Sequence, residues 1–334
     1  MAKQRKRRTT RKKKKRTGFR KGKIFGLIIV VLGIVLFFVK DLPVDYYHDT
    51  GKGLNGAALK SAVHDQIRRH KYLDFEQNTT ARYWWDNYFT RTDRHPDGYF
   101  WDMYSKERNK NYIGGSAQAR EHCMPRSWWG VRDKYPSYDA NGDLHNIFPS
   151  DYQANQAKSN LSLGEVGTAK FDNGVSKVGN NTYPKGHRGQ VFEPADEYKG
   201  DFARVYFYMV TCYEDYAYNW RGGATSTMLQ KGAYPSFQPW AIEMLLEWHR
   251  RDPVSEKEIK RNTEVFRIQG NRNPFVDYPE LAEHIWGSKV NEPFDSIKDN
   301  KTTGSPQLKD QVWSYIYEVE KIVRKWIDHL KYIF

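Results

Sequence analysis

Residues 24–39, IFGLIIVVLGIVLFFV, form an uninterrupted apolar run closed by Lys23 and Lys40. A stretch of this kind must leave water, which fixes the chain's topology before anything else does. As a helix rising about 1.5 Å per residue it covers roughly 24 Å, short of a hydrocarbon layer of about 30 Å, and flanking lysines that snorkel close the gap. Residues 1–23 carry 14 Lys and Arg and no Asp or Glu. That asymmetry holds the N-terminus in the cytoplasm and sends everything from Asp41 onward to the other side. The stretch FFVKDLPVD offers no small-x-small cleavage site, so the expectation is an uncleaved single-pass signal-anchor. With cleavage the protein would instead be secreted. RKRRTTRKKKKR also has the composition of a nuclear-localisation or nucleic-acid patch, but a spanning segment follows within eight residues.

The net charge of +14 belongs entirely to this tail: without it the 54 basic and 40 acidic residues become equal in number. The remainder is formally neutral, and the overall charge is no argument for a nucleic-acid binder. Hydrophobic residues at 39% and aromatics at 15% suit a packed core rather than a disordered chain. Cys123 and Cys212 are the two cysteines; an exported domain could bridge them or bury both as thiols.

Leu59, Val63 and Ile67 recur at helical spacing in GLNGAALKSAVHDQI. The aromatic-rich stretch that follows ends in GYFWDMYS, which alternates as a strand does, and its aromatics suit a core better than base stacking. KYPSYDANGDLHNIF places Asn141-Gly142, a turn signal, between two expected strands, the second being 143–148. Pro149-Ser150 then launches a short helix, DYQANQAKSN, with Ser150 as its cap. A long, largely buried helix is expected within FEPADEYKGDFARVYFYMVTC, and two more break at Asp252-Pro253. After a polar stretch, 288–308, an amphipathic helix closes the chain.

Glu121 and His122 stand side by side in REHCMPRS, and Asn155 lies on the helix after DLHN. Strand neighbours face opposite sides, so the pair can serve one site only where pleating ends, as Pro125 suggests. A carboxylate and an amide oxygen are hard ligands suited to Mg²⁺ held partly by substrate phosphate. A histidine can take a proton from water near neutral pH. Each residue alone also has an ordinary reading: a solvated strand-end charge, a structural histidine, a surface amide.

The blocks REHCMPRSW, DLHNIFPSDYQANQAKSN followed by LSLGEV, FEPADEYKGDFARVYFYM and QGNRNPFVDYPELAEHIW occur in an order that resembles the bacterial endonuclease I family. These are exported nucleases of the ββα-metal, or His-Me finger, superfamily, and the resemblance covers about residues 44–287. It implies an α+β fold: a mostly helical domain built around a ββα-metal finger, here preceded by a single transmembrane helix. It implies His122 as general base, with Glu121 and Asn155 holding Mg²⁺, for which Mn²⁺ or Ca²⁺ could substitute. A phosphate-binding arginine is expected at Arg126 or Arg132, and Arg120 and Lys158 are expected on a basic strip along the nucleic-acid backbone. His145 is expected to be hydrogen-bonded inside the finger, and Glu193, Asp196, Lys199, Asp201 and Arg204 to form a structural network.

The resulting plan is a cytoplasmic tail (1–23), a membrane span (24–39), a catalytic domain (44–287) and a polar linker with its helix (288–334). The expected activity is sequence-nonspecific hydrolysis of DNA, with RNA as a further substrate, outside the cytoplasm; no protein partner is deducible. A membrane-anchored DNA-binding protein without cleavage is the rival, but gives no reason for Glu121, His122 and Asn155 to keep company. A zinc hydrolase built on His122 and His145 lacks an obvious third ligand.

Overall fold

A computed structural model describes residues 46–47, 49–75, 81–129, 140–218, 220 and 225–295. The expected span at 24–39, the closing helix and Arg132 lie outside them. Every element below falls in one unit, 49–306. Among the described residues no helix is long and apolar enough to cross a membrane.

The class is α+β. Helix α1 (Gly56–Ile67) buries Leu59, Val63 and Ile67, as their spacing requires. Short helical turns over Ala81–Trp84, Trp85–Phe89 and Thr90–Thr92 then set Trp84, Trp85 and Phe89 into a cluster with Leu73, Phe75, Phe100, Leu144 and Ile147. GYFWDMYS is not a strand: Phe100 forms only an isolated bridge to Arg94. Its alternation reflects aromatics packing inward from irregular backbone.

Strand β1 (Gln118–His122) pairs antiparallel with β2 (Ile147–Asp151), setting His122 opposite Ile147 and Glu121 opposite Phe148. Helix α2 (Tyr152–Lys158) follows at once. The second arm therefore starts at Ile147, not Asp143, and its partner is the strand bearing Glu121 and His122. Asn141 ends a helical turn, and Gly142 is required for a different reason: a Cβ there would sit 1.7 Å from the Leu73 carbonyl oxygen. The helix cap is Asp151, the last residue of β2, whose Oδ1 accepts from the Ala154 amide at 2.8 Å, one residue later than the expected Ser150.

A second sheet, in the order β3–β6–β5–β4, escapes a reading by pattern. It comprises β3 (Ser162–Leu163), β4 (Val166–Asp172), β5 (Lys177–Asn181) and β6 (Gln190–Glu193). Its edge strand β4 is mostly exposed, so no apolar face repeats along it.

Helix α3 (Lys199–Cys212) is buried at every position, in keeping with its apolar and aromatic residues all round. It packs on α4 (Pro239–Arg251), which stops before Asp252-Pro253, and α5 (Glu256–Gln269) follows. Short helices α6 (Pro274–Asp277) and α7 (Leu281–Trp286) complete the layer, with Phe207 stacked on Trp286 at 5.0 Å. The charged residues of α3 are paired. Arg204 makes a two-pronged bond to Glu258, its Nη2 reaching Oε2 at 2.8 Å, and Lys199 reaches Glu193 and Asp196, each at 2.8 Å.

Candidate active site

The segment after β1 is locked to the segment before β2 by one residue. The Asn146 carbonyl accepts from the Cys123 amide at 2.8 Å. Its side chain then accepts from the Met124 amide at 2.8 Å and donates to the Met124 carbonyl at 3.1 Å. Pairing thus continues past His122 without a strand, and fixes where the chain turns at Pro125.

The DLHN turn is pinned from the other side by the QGN block. Asp143 Oδ1 accepts from the His145 amide and from Gln269 Nε2, each at 2.8 Å, and Oδ2 accepts from the Tyr208 and Tyr213 hydroxyls at 2.7 and 2.8 Å. Burial opposes the Asp143 charge, but His70, His145, Tyr208 and Gln269 together hold its carboxyl below the ordinary value. His145 Nε2 bonds the Asn271 carbonyl at 3.2 Å, and burial takes this imidazole down to about 3. His145 is hydrogen-bonded, but its imidazole reaches the QGN block rather than a partner inside the finger. Ligand atoms of His70, Asp143 and Cys212 lie within 4.8 Å of one another. Since four donors already saturate Asp143, we read this group as a hydrogen-bonded junction rather than a metal centre. Cys123 and Cys212 are both buried free thiols.

His122 is 7% exposed and enclosed by rings, Phe75 at 4.8 Å and Trp129 at 6.0 Å. Its Nε2 lies 3.0 Å from the Asn141 carbonyl, and Asn141 is itself held by Trp129 Nε1, which donates to its Oδ1 at 3.1 Å. A carbonyl can only accept, so Nε2 carries the hydrogen and Nδ1 keeps its lone pair. Burial, with the nearby charges of Arg126, Lys158 and Arg120, depresses this imidazole to about 3. It is neutral at physiological pH.

Glu121 faces α2. Its Oε1 accepts from Lys158 Nζ at 2.6 Å, and the same ammonium donates to the His122 carbonyl at 3.1 Å. Burial raises the Glu121 carboxyl, and Lys158 opposes that rise. Lys158 is wholly buried, so it cannot belong to an exposed basic strip. Lys158 follows buried Ala154 by four residues and shares its inward face. Asn155 is half-buried one turn before Lys158.

The arginines gather on Phe75. The guanidinium of Arg120 lies 3.8 Å over the ring and donates to the Phe75 carbonyl at 3.2 Å, while that of Arg126, an exposed residue, is 5.6 Å from the ring centre. Through Phe75 both cations border His122. The bordering residues that the sequence patterns did not assign are Asn141, Asn146, Asp143 and Trp129, whose side chains bond backbone and one another or reach distant blocks.

Strand, antiparallel strand and helix thus follow one another as β1, β2 and α2, with Glu121 and His122 at the end of β1 and Asn155 on α2. Over residues 55–280 the chain matches the model of the Endonuclease I family, and it belongs to that family. It is 33% identical over 254 residues to an extracellular ribonuclease of Bacillus subtilis (strain 168), covering 72% of this chain and 78% of that one. It is 34% identical over 255 residues to an extracellular ribonuclease of Bacillus amyloliquefaciens, with the same shares. It is 25% identical over 136 residues to an extracellular deoxyribonuclease of Aeromonas hydrophila, 41% of this chain and 49% of that protein. The chain is a phosphodiester hydrolase.

Proposed function

We propose that the protein is an exported, sequence-nonspecific endonuclease in which His122 activates water and Glu121 and Asn155 hold a divalent metal. The observation that carries this reading is the His122 tautomer. With Nε2–H spent on Asn141, the imidazole is neutral and turns Nδ1 to whatever donor enters the site. Water is that donor; its oxygen bonds phosphorus as the bond to the 3′-oxygen breaks, which leaves 5′-phosphate and 3′-hydroxyl ends.

The donor set fits a hard ion. Among the described residues Glu121 uses only Oε1, and the Asn155 amide makes no hydrogen bond, which leaves one carboxylate oxygen and one amide oxygen of the kind Mg²⁺ takes. When bound, Mg²⁺, with Mn²⁺ or Ca²⁺ as substitutes, supplies positive charge for the phosphate and for the departing 3′-oxygen. Arg126 is the arginine whose placement beside Phe75 best suits phosphate binding, with Arg120 adjoining it; Arg132 stays the second candidate.

The attack needs no ribose 2′-hydroxyl, so DNA and RNA are both substrates. Relatives named ribonuclease and deoxyribonuclease support that breadth. Relatives named extracellular, and the run at 24–39, support export with the catalytic domain outside and the N-terminus inside. The remaining parts are the domain plan read above: 1–23, 24–39, 44–287 and 288–334.

Full-length protein in detergent, given plasmid or a structured RNA with Mg²⁺, degrades both; EDTA or His122→Ala abolishes this. Undiminished cleavage by His122→Ala removes the assigned base, and unaltered metal dependence in both Glu121→Ala and Asn155→Ala removes the assigned metal site. For the anchor, replacing residues 24–39 with a polar linker should move the protein out of the membrane fraction; an unchanged distribution excludes that segment.

A further inference from the structure

A lysine with no exposed surface is costly unless its charge is matched, and Lys158 is matched by a single carboxylate, Glu121. A second bond, to the His122 carbonyl, ties the same ammonium to the residue that follows. One cation therefore fixes both ends of the Glu121–His122 pair. It engages Glu121 through Oε1, and among the described residues Oε2 has no hydrogen-bond partner.

We propose that Lys158 is a positioning residue for the metal ligand Glu121: it holds Oε1, leaves Oε2 for the ion, and cancels the carboxylate's charge so that the ion binds tightly only together with a nucleic-acid phosphate. The inference rests on the metal site proposed at Glu121 and Asn155.

The charge count makes the case. To an incoming divalent cation this site offers one carboxylate, one ammonium and one neutral amide, a sum of zero, with the guanidinium groups of Arg120 and Arg126 on its border. Repulsion by an ammonium a few ångströms away offsets most of what a single carboxylate contributes. A substrate phosphate supplies the missing negative charge, in keeping with the way Mg²⁺ is commonly shared between one or two protein oxygens and phosphate. Substrate and ion then promote each other's binding by the same factor. Were Lys158 only a structural clamp, its removal would loosen the fold without changing how metal and nucleic acid depend on each other.

The test follows Mn²⁺ binding by the EPR signal of the free ion. It uses full-length protein in detergent, carrying His122→Ala so that nucleic acid survives, with and without a short DNA duplex, after subtracting ion held by the duplex alone. The duplex should tighten Mn²⁺ binding about tenfold or more. Lys158→Met should tighten Mn²⁺ without duplex by about tenfold and remove most of the duplex effect, whereas Lys158→Arg, which keeps the charge, should behave as the parent does. Equal Mn²⁺ affinity with and without duplex overturns the proposal. So does unchanged affinity in a Lys158→Met protein that melts cooperatively. If Lys158→Met does not fold, Lys158→Gln, which removes the charge but keeps a donor for Glu121, decides by the same comparison. Mn²⁺ binding undisturbed by Glu121→Gln is a different failure, because it moves the ion off Glu121 and removes the parent reading.

Discussion

His122 owes its chemical state to its neighbours. An imidazole in water is half protonated near pH 6.5, and burial here takes it down to about 3. The base is therefore ready at neutral pH, though weak. Its Cε1–H resonance, assigned by comparison with His122→Ala, should not titrate between pH 8 and 5; an inflection near 6.5 would mean the ring is solvated. Stability follows with a definite sign. Below pH 6.5 the unfolded chain takes up a proton that folded His122 refuses, so the fold loses stability at this position as pH falls toward 3. The stability gap between the native protein and His122→Ala should therefore shift against the native by about 1.4 kcal/mol per pH unit below 6.5. The Glu121-His122 pair was legible as a chemical unit. Its dependence on Asn141 and Lys158 was not, since those partners lie 19 and 37 residues away from their bonded atoms.

Within the finger the element that matters most is not a strand. Asn146 extends the β1–β2 pairing through its carbonyl and amide, and it is wholly buried. Asn146→Ala leaves the Met124 amide and carbonyl unpaired, at roughly 1–3 kcal/mol each. A loss of roughly 2–6 kcal/mol in urea denaturation should accompany reduced cleavage. A loss below about 0.5 kcal/mol, the scale of a neutral surface change, would contradict the clamp. The helices α1, α3, α4 and α5 were readable because their apolar residues repeat at the helical period or fill every side. The β3–β6 sheet was not, because its strands are short and β4 is exposed. GYFWDMYS misled for the opposite reason: alternation without a neighbouring strand to bond makes no sheet.

At the scale of the molecule, buried ion pairs tie the helical layer behind the finger. Arg204 on α3 meets Glu258 on α5, and Arg272 meets Asp277 through two bonds of 2.7 and 2.8 Å. Glu258→Ala removes both bonds of the closest carboxylate to the buried Arg204 guanidinium, leaving it His249 and the Asp252 carbonyl, and removes the capping box of α5, so it should cost about 3–5 kcal/mol in thermal or denaturant unfolding. A shift under about 1 kcal/mol, typical of exposed pairs, would show that Arg204 finds other partners. The same layer reaches the site, since Gln269 and Asn271 grip Asp143 and His145. By itself the sequence determined the family, the helical layer and the residue types of the site, because periodicity and motif chemistry are local. Only the tertiary structure decided which nitrogen of His122 is free, and that Lys158 is an interior countercharge rather than a surface contact. Protonation and burial depend on atoms brought together from distant parts of the chain, and no local pattern encodes them.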